Sequence, residues 1–146
     1  MAQQPVPTNS FVSEFQAAFA PTSTVAYLSE ELSKRPFQKE KLLESLHLAA
    51  ADPQLAPSAV LYDTAQHWLF LIETVPAHGP ITLARRQQLA TWAQACTAHK
   101  VFVTAFPDMA TYQALGADIA WETDVWLADA PQHLIHFNGD RFMGPR

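Results

Sequence analysis

The stretch Ala56–Pro80, "APSAVLYDTAQHWLFLIETVPAHGP", decides the fold of this chain. Two apolar runs, about Ser58 to Asp63 and Trp68 to Val75, flank a polar turn at Thr64 to His67 and so read as a β-hairpin. In the second run Leu69, Leu71, Glu73 and Val75 share one face, and Trp68, Phe70, Ile72 and Thr74 share the other. Both faces are apolar, the pattern of a central strand covered on each side by helices. One carboxylate, Glu73, interrupts the pattern. A buried carboxylate is costly unless it is paired and hydrogen-bonded, so Glu73 predicts either a partner or a chemical task.

The turn length fixes the candidate partner. It pairs Asp63 with Trp68, Tyr62 with Leu69, Val60 with Leu71 and Ser58 with Glu73. Facing side chains lie ~5 Å apart at the β-carbon, so Ser58 is the expected neighbour of Glu73. Asp63 lies further along the strand, roughly 16 Å away at ~3.3 Å of rise per residue. It cannot share an ion with Glu73 and reads as a turn residue.

Outward from the hairpin, "KVFVTAF" is a third clear strand, and "TVAYL", "DVWLAD" and "HLIHF" are further candidates. Phe11, Phe15, Ala18 and Phe19 recur at helical spacing from Ser10, and "APT" ends that run. "SEELSKRPFQKEKLLESLHLAA" reads as mostly helical, interrupted at Pro36. Thr82 is a plausible cap for a helix running through Cys96, and Asp108 for another over "MATYQALGADIA". Asn138-Gly139, with Asp140, signals a tight hairpin turn. The order predicts a mixed α/β domain over residues 10–146, one sheet with helices on its faces and a β-rich C-terminal extension, preceded by a flexible tail over residues 1–9.

Bulk properties narrow the function. At 146 residues the chain is the size of one domain. A net charge of −5 is not the balance of a protein that grips nucleic acid unaided, so DNA contact would need local basic patches or a partner. The single cysteine, Cys96, excludes an internal disulfide, fits a reducing cytoplasm and reads as a buried core thiol. No segment approaches the ~18 apolar residues of a membrane span, and the polar start lacks a secretion signal.

Pro-Asp, a hairpin and then (Asp/Glu)-x-Lys is how many metal-dependent nucleases gather two carboxylates around Mg²⁺. Here the frame is Pro57-Ser58, then Glu73-Thr74-Val75, so one of the three polar positions survives. Arg85 falls on the helical stripe of Leu89, Trp92 and Cys96, in the first turn, where a cation opposes the helix dipole and calls for a nearby anion. The other reading is simple snorkelling. His78, in "AHGP", is placed to be a general base or phosphate contact, or a turn histidine bonding backbone. His133 and His136, three apart on a strand, point to opposite faces and argue against zinc. Glu122, in "AWETDVW", reads as a capping or backbone-bonding residue.

"AVLYDTAQHWLFLIETVPAHGPI", "VFVTAFPD" and "IAWETDVWLADAPQHLIHFNGDRFMGP" resemble the C-terminal catalytic domain of the BsuBI/PstI type II restriction endonucleases. "SEFQAAFAP" and "YLSEELSK" resemble the helix and the Tyr-x-Gly-Asp-Thr-x-x-Lys segment upstream of it. The resemblance implies a PD-(D/E)XK-like fold and Mg²⁺-dependent cleavage of double-stranded DNA in restriction-modification or phage defence. It makes Glu73 a metal ligand and Glu30 a candidate second one, with Lys34 as a candidate cationic residue. It also implies a homodimer, or docking in a larger defence complex, for cutting both strands, without the helical N-terminal region of the full-length enzymes. Two departures stand out: Ser58 replaces the Asp of Pro-Asp, and Ser29-Glu30-Glu31 replaces Gly-Asp-Thr. The family itself lacks the lysine at the place of Val75. An impaired enzyme, a silent DNA-binding or scaffold subunit, and an interaction module without a nucleic-acid role are the readings that follow.

Overall fold

The computed structural model describes residues 8–29, 37–49, 52–75 and 79–137. Glu30, Lys34, His78 and the Asn138-Gly139-Asp140 turn lie outside the described residues.

Helix α1 (Thr8–Phe19) precedes β1 (Ser23–Leu28). A two-residue strand β2 (Phe37–Gln38) and a short helix α2 (Glu40–Ser45) follow. The hairpin strands are β3 (Ala59–Asp63) and β4 (Trp68–Thr74). Helix α3 (Leu83–Trp92) leads to β5 (His99–Phe106), and α4 (Met109–Leu115) leads to β6 (Thr123–Leu127) and β7 (Leu134–Phe137). All seven strands form one sheet, ordered β2-β1-β3-β4-β5-β6-β7. β4 runs antiparallel to β3 and parallel to β5, and β5 runs parallel to β6. The parallel pairs are those joined through helices, as parallel crossovers require.

The hairpin register is the expected one, with Asp63 opposite Trp68 and Ala59 opposite Ile72. β4 is the central strand, and its two faces fill two cores. Ala59, Leu61, Phe70, Ile72 and Val103 pack under α1 with Val12, Phe15 and Trp126. Val60, Leu69, Leu71 and Phe102 pack with Ile81, Leu89 and Ala93 of the α3 side. Glu73 belongs by alternation to this second face.

Three expectations change. Among the described residues of the segment before the hairpin, Phe37–Gln38 is not helical but extends along Tyr27–Leu28 as an edge strand, and Glu40–Ser45 is helix. Helix α3 stops at Trp92, so Cys96 lies in the following turn, buried. The chain has to turn back there, because His99 starts the strand opposite Trp68. The C-terminal strands are no appendage: β6 and β7 complete the main sheet, β7 antiparallel to β6.

Asp63 is the turn residue predicted. Buried at 1% exposure, it accepts hydrogen bonds from the Thr22 hydroxyl, the Ala65 N–H and the Gln66 amide. Asp63→Ala strands those donors and is expected to cost roughly 2 kcal/mol in urea unfolding.

Asp108 caps α4, accepting from the Thr111 N–H at 2.8 Å and the Thr111 hydroxyl at 2.7 Å. These bonds, the hydroxyl's first, hold its carboxyl below the usual value. A depressed carboxyl stabilises the fold above its unfolded pKa, and that contribution disappears as pH falls through the folded pKa. Wild type is therefore expected to melt above Asp108→Ala at neutral pH, and the two melting curves to converge as pH falls below 3.8.

Candidate active site

The sheet register places four polar residues in line across β1, β3, β4 and β5. Beyond the Leu28–Ala59 pair, the Ser29 N–H donates to the Ser58 carbonyl at 2.9 Å. Ser58 sits against Glu73, and Glu73 pairs with Thr104. All four are buried, Ser58, Glu73 and Thr104 completely.

Glu73 is held on both oxygens. Oε1 accepts from the Ser58 backbone N–H at 3.0 Å and from its hydroxyl at 3.1 Å. Oε2 accepts from Arg85 Nε at 2.5 Å. The Ser58 hydroxyl also accepts from the Thr74 N–H at 3.1 Å and from the Thr74 hydroxyl at 3.3 Å. That second contact departs from strict alternation, which put Thr74 on the opposite face. On the β5 side, Thr104 Oγ1 accepts from the Ile81 N–H at 3.0 Å and fixes the approach to α3. Gly79, at φ +80°, supplies the left-handed turn on the way, a conformation that glycine adopts without strain.

Arg85 reaches this cluster from the first turn of α3. Thr82 caps the helix, its side chain accepting from the Arg85 N–H as expected. The guanidinium donates to Glu73, to the Ala56 carbonyl at 3.2 Å and to Gln88 Oε1 at 3.2 Å. The anion required beside that helix-start cation is thus Glu73. The sequence did not single out Thr74, Thr104, Gln88 or the Ala56 carbonyl. Thr104 was reachable through the β4–β5 register, and Gln88 through its helical spacing from Arg85.

The other candidates disperse. Glu122 has φ +64° and its N–H bonds the Phe137 carbonyl, the backbone role expected, while its side chain pairs with Arg86 at 3.1 Å. Arg86 also lies over the Phe102 ring, 5.0 Å from its centroid. His136 faces Asp124 across β6 and β7 at 2.5 Å, while the His133 N–H bonds the Ala130 carbonyl. Among the described residues no group of three or more His, Cys, Asp or Glu side chains could hold a metal.

Mg²⁺ takes oxygen ligands and needs anionic charge to hold it. Among the described residues, the oxygens around Glu73 belong to neutral hydroxyls and backbone groups, and the charge paired with it is a guanidinium. This set does not fit a two-carboxylate magnesium site. The described groups form a buried polar cluster.

The mixed sheet with a buried glutamate on its central strand is a fold shared with a solved restriction endonuclease. A solved structure of the SdaI restriction endonuclease matches with a TM-score of 0.84 and 34% identity, over 97% of this chain and 46% of that one. The chain belongs to the BsuBI/PstI restriction endonuclease domain family, whose model matches residues 6–140. The type II restriction enzyme BsuBI of Bacillus subtilis is 39% identical over 136 residues, 93% of this chain and 43% of that enzyme. The type II restriction enzyme AplI of Arthrospira platensis is 34% identical over 87 residues, 60% of this chain and 27% of that enzyme. The chain therefore spans less than half the length of these relatives. No helix among the described residues is long and apolar enough to cross a membrane.

Proposed function

We propose that this chain is a PD-(D/E)XK-type domain that engages double-stranded DNA in a restriction-modification or phage-defence system, with hydrolysis attenuated at Ser58. In this reading the protein works on double-stranded DNA in the cytoplasm, as a homodimer or docked in a larger defence complex. The observation that carries it is the Ser58–Glu73 contact at the mouth of the hairpin. The family and the SdaI likeness support the DNA substrate. The serine, standing where the nuclease frame calls for a carboxylate, supports the attenuation. Its hydroxyl removes one unit of negative charge from the position that would help retain Mg²⁺. Glu73 remains the metal-ligand candidate, and Arg85 is the cation that orients it. Outside the described residues, Glu30 is the candidate second carboxylate, and Lys34 and His78 keep their candidate roles.

The test combines a labelled duplex with supercoiled plasmid. Duplex retention that weakens steeply with salt is expected, the mark of phosphate contacts. With Mg²⁺ or Mn²⁺, plasmid nicking by wild type is expected to be slow and to vanish in Glu73→Ala, whose folding circular dichroism checks. Equal nicking by both removes Glu73 from the site, and no duplex retention even at low salt removes the DNA reading. The bonds from Ser58 and Arg85 to the two oxygens of Glu73 favour one further reading, a DNA-binding subunit that does not cut at all. Complete absence of nicking together with firm duplex retention would select it.

A further inference from the structure

We propose that a cavity between β1, α2 and the end of α3 is a binding site for a primary alkylammonium ion. The cavity has a volume of about 260 Å³. Its walls are apolar and aromatic: Leu43 and Leu48 are buried, and Tyr27 and Trp92 are half-buried. The Trp92 Nε1–H donates to the Asp52 carbonyl at 3.0 Å, which fixes the indole as a wall. The charges around it are of one sign. Glu40 and Glu44 border the cavity, and among its described lining residues there is no lysine or arginine. It adjoins the candidate active site through Ala56, whose carbonyl accepts from Arg85, and uses none of that site's side chains. The proposal therefore stands apart from the DNA reading.

The two glutamates lie one turn apart on α2, at i and i+4, where like charges repel and destabilise a helix. Both are exposed, and neither carboxylate has an ion-pair partner among the described residues. Lys39 and Lys41 adjoin Glu40 in sequence and pair with neither. A cation between the carboxylates removes the repulsion, and the leucine and aromatic walls receive its apolar stem. An ammonium suits this arrangement better than a guanidinium. It is a point charge with three donors that can bridge two separate carboxylates, whereas a guanidinium fork matches one. It is also attracted to the faces of tryptophan and tyrosine. Mg²⁺ and Ca²⁺ call for more oxygen ligands than these walls supply, and a phosphate would be repelled. The volume falls below the roughly 300–1,000 Å³ of sites for drug-sized ligands. The guest is therefore small, a short alkylamine or a single lysine side chain.

The probe is n-butylammonium, a lysine side chain without its backbone, and n-butanol is its uncharged counterpart. Binding is read at fixed ionic strength from the Trp92 indole N–H resonance, which Trp92→Phe identifies. A saturable shift with a dissociation constant of roughly 1 mM is expected for so small a ligand. n-Butanol is expected to bind at least about threefold more weakly, and Glu40→Gln/Glu44→Gln to weaken the ammonium by at least about threefold. Both glutamates are exposed, so the variant keeps the fold, which circular dichroism checks; Glu44→Gln alone serves if it does not. Nα-acetyl-lysine amide, titrated in the same way, separates the two sources. Tighter binding than n-butylammonium supports a lysine presented by a protein, and weaker binding supports a free amine. No saturable Trp92 shift with either ammonium would overturn the proposal. So would a smaller loss in the glutamine variant, or n-butanol binding as well as the ammonium, since the cavity would then be an apolar hole without a charge requirement.

Discussion

Arg85→Met is expected to destabilise the domain by about 3 kcal/mol, more than a surface arginine on a helix would, because it takes the guanidinium away from a buried carboxylate. The estimate sits at the low end of the range for broken buried pairs, since the Arg85 side chain keeps 21% exposure and solvent screens part of the interaction. Glu73→Gln tests the other half. Its amide oxygen can still accept from Ser58, but its NH₂ then faces the Arg85 N–H, so both the charge and the acceptor at Oε2 are lost, and about 1–3 kcal/mol is expected. The double variant is the informative one. A neutral amide at position 73 needs no guanidinium, so the double variant should cost less than the sum of the singles, with a coupling of about 1–3 kcal/mol. Urea unfolding at pH 7 measures all three. Additive losses would mean that Arg85 stabilises through its bonds to Ala56 and Gln88 and not through Glu73.

The ion pair also shows how much of the site was legible from sequence. The length of the turn at Thr64–His67 set the hairpin register, and register alone set Ser58 beside Glu73 and Asp63 away from it. Arg85 was legible as an oddity, a cation at a helix start. What the sequence could not supply was the identity of its anion, because β4 and α3 are brought together by tertiary packing and not by local pattern. The same limit explains the missed edge strand. Phe37–Gln38 exists because β1 offers an unpaired edge, whereas its local composition is charged and helical. Helix α3 was overextended for a related reason. The residues as far as Cys96 keep a helical pattern, but the chain must turn to bring His99 level with Trp68. Local signals hold where the neighbours are local, as with the caps at Thr82 and Asp108.

The second large effect is expected from Ser58→Asp. In chelator this variant is predicted to lose roughly 3–5 kcal/mol, since it buries a second carboxylate against Glu73 and the two like charges repel. The Ser58 hydroxyl also accepts the Thr74 N–H and hydroxyl, and an aspartate oxygen can take over that acceptor role. The loss is therefore electrostatic more than a failure of hydrogen bonding, and a divalent cation should repair it. Binding to the folded state alone stabilises by mass action, by about 2.7 kcal/mol when the ion is at about 100 times its dissociation constant. A melting temperature that is low in chelator and climbs with Mg²⁺ is the expected signature. Wild type should climb less, because a serine at position 58 gives the ion no charge to bind.

Plasmid cleavage separates repair of stability from repair of chemistry. If the introduced carboxylate and Glu73 together hold the ion where the nuclease frame needs it, nicking by Ser58→Asp should exceed that of wild type by at least about tenfold, the equivalent of about 1.4 kcal/mol in the barrier. Adding Glu73→Gln to this variant should remove both the gain in cleavage and the Mg²⁺-dependent melting. Mg²⁺ rescue without any gain in nicking would show that the serine is not the sole lesion. The deficit would then lie in a further group that chemistry needs, with Glu30 and Lys34 the first to substitute. A Ser58→Asp protein as stable as wild type in chelator, and indifferent to Mg²⁺, would instead place residue 58 too far from Glu73 for their charges to meet. That outcome would contradict the 3.1 Å contact on which the site is built.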